Sequence, residues 1–112
     1  MNTEDGKKEI VTLCGSTRFK EIFFKVARKL QFEEDKVVLL PLEFCHSDGN
    51  RYDNKQLELL DRVHRVKIDI SDCIFVIDVE GYIGESTKNE INYAAKSGKA
   101  IRYYSKETGG IK

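Results

Sequence analysis

Four short apolar runs alternate with segments of helical period along this chain, and that alternation leaves few folds open. The runs are EIVTLCGS (residues 9–16), VVLLPLEF (37–44), CIFVID (73–78) and AIRYYS (100–105). Each is short and rich in strand formers. Between the first two, Phe19, Ile22, Phe23, Val26, Ala27 and Leu30 recur every three or four residues, which predicts an amphipathic helix over residues 18–33. Leu57, Leu60, Val63, Val66 and Ile70 keep roughly the same spacing to about Ser71. A third helix is predicted to leave the stretch GYIGESTKNEINYA (81–94) and run to about Ser97, with Gly98 as its C-cap. CHSDGNRYDN (45–54) reads as a polar loop, and Pro41 belongs near the end of its strand rather than the middle.

The order βαβαβαβ predicts a parallel sheet with helices on both faces, because parallel neighbours need a crossover and the crossovers cover the sheet. The unbroken apolar run CIFVID suits a strand buried on both sides. At 112 residues the chain is expected to form one domain over residues 1–112, with residues 1–8 and 106–112 as loose tails. The expected architecture is a three-layer α/β/α sandwich around a four-stranded sheet.

Charge and cysteine usage narrow the function. Lys+Arg and Asp+Glu balance at 19 each, so no basic footprint for a nucleic-acid polymer or an anionic membrane is expected. The apolar runs are too short to span a bilayer, and the polar start MNTEDGKKE does not read as a signal peptide, so a cytoplasmic location is expected. Cys14 and Cys73 fall inside apolar strands and Cys45 in a loop; without CxxC spacing they read as reduced thiols. The adjacent pair Cys45-His46 lacks metal-ligand spacing, and no metal site is expected.

In a parallel sheet of this kind ligands bind beyond the carboxyl ends of the strands, where the strand order reverses. The turn Cys14-Gly15-Ser16-Thr17-Arg18 offers backbone N–H groups, two hydroxyls and a cation to an anion, although Ser16 or Thr17 would equally serve as a helix cap. The spacing matches neither GxxxxGK[ST] nor GxGxxG. Glu90 has two readings. Thr87-Lys88-Asn89-Glu90 fits a capping box, whereas a carboxylate bordering the stripe Ile91, Ala94 and Ala95 can point into the ligand crevice, kept ionised by the helix N-terminus. Glu85 reads as solvated. His64 shares a helix face with positions 57, 60 and 68, so it reads as a histidine packed against the third strand or as a proton donor near a substrate. Asp78 would bind a sugar hydroxyl or cap its own loop, and His46 reads as solvated.

CGSTR after the first strand, the run SDCIFVID, and a glycine-containing loop leading into NEINYAAKSGKAI together resemble the nucleoside 2-deoxyribosyltransferase superfamily. The likeness is nearer the 2′-deoxynucleoside 5′-phosphate N-hydrolases and covers roughly residues 9–104. It implies a flavodoxin-like sandwich in which Glu90 attacks the anomeric carbon of a deoxynucleotide. It further implies that Gly15, Ser16 and Arg18 hold the 5′-phosphate and that Gly84, Glu85 and Ser86 contact phosphate and sugar. His64 stands where many members carry an aspartate. The resemblance also implies a homodimer or higher homo-oligomer, a small-molecule nucleotide or nucleoside as ligand, and no cofactor. Either hydrolysis or base transfer would fit. A nucleotide-binding or sensor module without catalysis would keep the same loops and use Glu90 only as a cap.

Overall fold

The computed structural model describes residues 7–42, 44, 49 and 51–107. Four parallel strands form one sheet: β1 (Ile10–Gly15), β2 (Val37–Leu39), β3 (Cys73–Ile77) and β4 (Ala100–Tyr103), in the spatial order β2-β1-β3-β4. Helix α1 (Lys20–Glu34) links β1 to β2, α2 (Asn54–Asp69) precedes β3, α3 (Glu85–Lys96) links β3 to β4, and a short α4 (Tyr104–Glu107) follows β4. The architecture is a flavodoxin-like three-layer α/β/α sandwich. No helix among the described residues is long and apolar enough to cross a membrane.

Side-chain alternation along the two central strands divides the interior into two cores. Val11 and Leu13 of β1 and Cys73, Phe75 and Ile77 of β3 face α1, where they meet Phe23, Val26 and Leu30. The residues in between, Cys14, Ile74 and Val76, face the other way and pack with Ile68 of α2 and Ala94 of α3. Because a strand turns successive side chains to opposite faces, Cys14 is committed to the α2/α3 side. The backbones of β1 and β3 approach closely at the end of their pairing, where Gly15 lies opposite Ile77. A Cβ on Gly15 would sit 2.9 Å from the Ile77 Cβ, so only glycine closes the strand here without displacing its neighbour.

Several boundaries differ from the sequence reading. β2 is three residues long rather than running to Phe44, since Pro41 lacks a ladder donor and the chain has already left the sheet. A 3-10 turn, Thr17–Phe19, intervenes before α1. β4 ends at Tyr103, and the segment expected as a loose tail contributes Lys106 and Glu107 to α4, where Glu107 pairs with Arg102 at 2.7 Å. Lys8, also assigned to a loose tail, bonds Asp35 at 2.6 Å. The remaining tail residues, 1–6 and 108–112, lie outside the described residues, as do Cys45 and His46. In α2 the stripe Leu57, Val63, Val66 and Ile70 is largely exposed, and the buried line runs through His64 and Ile68. Steps of three, three, three and four residues drift around a helix of 3.6 residues per turn, so this stripe does not stay on the sheet.

A candidate ligand site at the strand-order switch

β1 connects outward to β2 on one side, while β3 and β4 lie on the other, so the strand order reverses between β1 and β3. A cavity of about 760 Å³ opens at the carboxyl ends of these strands, the place expected for a ligand in a doubly wound sheet. Most residues singled out from the sequence line it. Gly15, Ser16, Thr17 and Arg18 come from the turn after β1. Gly84, Glu85 and Ser86 come from the start of α3, and His64 and Glu90 project from α2 and α3.

Asp78 does not line it. It is buried one residue past β3, where its carboxylate accepts hydrogen bonds from the Ser105 N–H at 2.8 Å and the Ser105 hydroxyl at 2.7 Å. Of its two sequence readings the structural one is observed, though its partner is the start of α4 rather than its own loop. Ser16 likewise acts as a cap, accepting from the Arg18 N–H at 3.3 Å while bordering the cavity. The Arg18 guanidinium is exposed and stacks over the Tyr82 ring at 5.1 Å.

The capping box expected at Thr87–Glu90 is absent. Helix α3 begins at Glu85, two residues before Thr87, with Gly84 as an N-cap that makes no side-chain cap bond. Thr87 is buried inside the first turn, and Glu90 lies in the second, beyond the strongest reach of the helix dipole. Glu85 opens the helix and is exposed, as expected. Ala95 is also exposed, so the face turned toward the sheet is Thr87, Glu90, Ile91 and Ala94. A carboxylate on that face is enclosed: only 14% of the Glu90 side chain is accessible.

Three chemically different groups meet at the base of the cavity, His64 and Glu90 lining it and Cys14 buried behind them. The His64 Nε2 lies 3.5 Å from the Cys14 Sγ and 3.9 Å from a Glu90 carboxylate oxygen. His64 therefore packs against β1 rather than β3. Fastenings at the C-terminal end of α2 hold it there. The Thr12 hydroxyl donates to the Lys67 carbonyl at 3.1 Å and bonds the Ser71 hydroxyl, and the Asp72 carboxylate accepts from the Ile10 N–H at 2.8 Å.

Enclosure sets the electrostatics. Burial, with a smaller push from Asp61, raises Glu90 to about 7, against the opposing pulls of the Cys14 thiol hydrogen bond and Arg65. This reverses the expectation of a carboxylate kept ionised by its helix; at neutral pH it is close to half protonated. Burial first, and the Lys67 charge second, lower His64 to about 4. The ring is neutral near pH 7, so it can donate or accept a hydrogen bond there, but it does not serve as an imidazolium acid. Burial also holds the Cys14 thiol well above its ordinary value.

Compared with known proteins, the chain matches no family model and no curated protein.

Further lining residues were not singled out from the sequence. Leu57, Leu60 and Val63 of α2 give the cavity an apolar wall, and Tyr82 closes it over Arg18. An aromatic between glycines in GYIG is the signal that could have marked Tyr82. The α2 wall was legible only as a core stripe, because a ligand wall and a core share the same pattern.

Proposed function

We propose that this protein cleaves or transfers the N-glycosidic bond of a (deoxy)nucleoside 5′-monophosphate, with Glu90 as the nucleophile. One observation carries the reading. A single cavity offers an enclosed carboxyl at its floor, a Gly-Ser-Thr-Arg turn at its rim and an apolar helix wall between them. Those are the three chemistries a nucleotide presents in reverse: an anomeric carbon, a phosphate and a flat base.

In this reading Arg18 and the backbone N–H groups of the turn hold the phosphate, and Leu57, Leu60 and Val63 take the base. Ionised Glu90 attacks C1′ as the bond to the base nitrogen breaks, and the bond's electron pair leaves with the base, which takes a proton from water. The transition state has oxocarbenium character. Water, or a second base, then attacks C1′ of the glycosyl-enzyme and frees the carboxylate. Neutral His64 positions Glu90 or a sugar hydroxyl by hydrogen bonding rather than by supplying a charge-borne proton. A cytoplasmic, homo-oligomeric enzyme acting without a cofactor completes the proposal; sedimentation showing only monomer at working concentration counts against the oligomer.

A nucleotide-binding module without catalysis is the second reading. It is favoured by the protonation of Glu90 near neutrality, which halves the population able to attack. The deciding experiment offers deoxynucleosides and their 5′-monophosphates, with and without an acceptor base, to wild type and Glu90→Gln. Base release by wild type alone supports the glycosidase. Nucleotide binding by both proteins with no release by either supports the module.

A further inference from the structure

Cys14, His64 and Glu90 each offer one donor atom, and those atoms all lie within 4.8 Å of one another. They come from β1, α2 and α3, so no local sequence spacing could have revealed the group. We propose that Cys14, His64 and Glu90 are the protein ligands of a Zn2+ site whose fourth position opens into the cavity.

Geometry carries the argument. Zinc bonds of about 2.3 Å to sulfur and about 2.0–2.1 Å to imidazole nitrogen, at a tetrahedral angle, separate S and N by roughly 3.6 Å and N and O by roughly 3.4 Å. The observed separations are 3.5 Å from Cys14 Sγ to His64 Nε2 and 3.9 Å from His64 Nε2 to Glu90 Oε1. The cation needs only small side-chain adjustments to fit. Cys14 is fully buried, while His64 and Glu90 line the cavity, so an ion enters from the cavity side and finds the thiol behind them. Three protein ligands and one open position is the arrangement of a reactive zinc centre rather than a closed structural one.

Donor chemistry selects the ion. A thiolate and an imidazole favour borderline and soft cations over Mg2+ or Ca2+. One thiolate and one carboxylate neutralise the two charges of the cation, so the filled site adds no net charge to an enclosed place. On binding, the metal–sulfur bond forms as the thiol proton, together with any proton on Glu90, is released to solvent. With the metal in place, Glu90 cannot attack C1′, so Zn2+ switches off base release. That last consequence rests on the glycosidase reading; the binding does not.

Co2+ titration of the metal-free protein tests the site, because a tetrahedral thiolate–Co2+ centre has a charge-transfer band that octahedral Co2+ lacks. Wild type should bind one equivalent, develop the band and lose it to added Zn2+. Cys14→Ser should show no band, and the double replacement Cys45→Ser/Cys73→Ser should keep it. His64→Gln and Glu90→Gln should bind Zn2+ at least about tenfold more weakly, the lower limit of what even a supporting contact contributes to a metal site. Absence of the band in wild type overturns the proposal, as does a band that survives in Cys14→Ser. If Cys14→Ser fails to fold by circular dichroism, unchanged Zn2+ affinity in both of the other variants overturns it. Metal binding without base release from the chelated protein leaves the zinc site standing and removes the glycosidase.

Discussion

Asp78 and Glu90 are both carboxylates at the carboxyl edge of the sheet, and both are shielded from water, yet their surroundings are opposite. Asp78 receives two short hydrogen bonds from one residue, Ser105, which tie the end of β3 to the start of α4. Glu90 lies beside a neutral imidazole and a thiol at the base of the cavity, and burial raises its pKa to about 7. A carboxylate built for structure has donors that stabilise its charge; one placed where its charge is poorly stabilised is available for chemistry. Position at the binding edge therefore did not separate the two. Their partners did.

The largest effect that sharpens this contrast is catalytic. On the glycosidase reading, Glu90→Gln should lower base release at least about a thousandfold, because losing a nucleophile alone removes nearly all that its catalytic group contributes. Asp78→Asn, assayed below its melting temperature, should stay within about tenfold of wild type.

Next comes stability, with opposite signs. Glu90 holds its proton to about pH 7 in the fold but, near its ordinary value of 4.5, gives it up when unfolded. Metal-free wild type should therefore lose stability as pH rises through that window, by up to about 3 kcal/mol. Glu90→Gln abolishes that slope, so urea titrations at pH 8 should find the variant more stable than wild type and those at pH 4 should find little difference. A variant no more stable than wild type at pH 8 would break the comparison. Asp78→Asn should lose about 1–3 kcal/mol at neutral pH in the same titrations, since Ser105 is left with a poorly matched partner.

The smallest effect lies far from the cavity. Arg102 bonds Glu34 through two nitrogens at 3.0 and 3.1 Å and Glu107 at 2.7 Å, and these bonds lower Glu34. Their contribution is present above the ordinary carboxylate range and is lost as pH falls through the lowered value of Glu34. Arg102→Met should remove about 1 kcal/mol at pH 7, and less in high salt, since the network is partly exposed.

The fold was legible because strand and helix periods differ along almost the whole chain. Strand order was less so, since alternation demands a parallel sheet but not where each crossover lands. The capping signals show the limit. Asp53-Asn54-Lys55-Gln56 spells a capping box as plainly as Thr87–Glu90, and only the first forms one: the Asp53 side chain accepts from the Gln56 N–H at 2.8 Å and the Gln56 side chain returns the bond at 3.0 Å. Gly84 starts α3 one turn early and leaves Thr87 and Glu90 in its interior. That shift also explains why Glu90 was legible as a candidate while its protonation was not. Burial depends on what α2 and β1 bring against it, and neither is nearby in sequence. Cys14 was likewise readable as buried but not as a neighbour of His64, 50 residues away.

Among the described residues, the bonds that tie helix α2 to the sheet gather at its C-terminal end. Its C-terminal turns are held by Ile68 in the core and by bonds through Thr12, Ser71 and the Lys67 ammonium, which donates to the Leu40 carbonyl at 2.7 Å. Its first turns carry Leu57 and Leu59, each nearly half exposed. A rod held this way is expected to pivot about His64 to Ile68, so that its first turns, the wall that a base would touch, move most. Small rotations can then widen or narrow the cavity without disturbing the donors on its floor. Amide exchange should register this as a gradient, with protection falling steadily from Ile68 back toward Asn54.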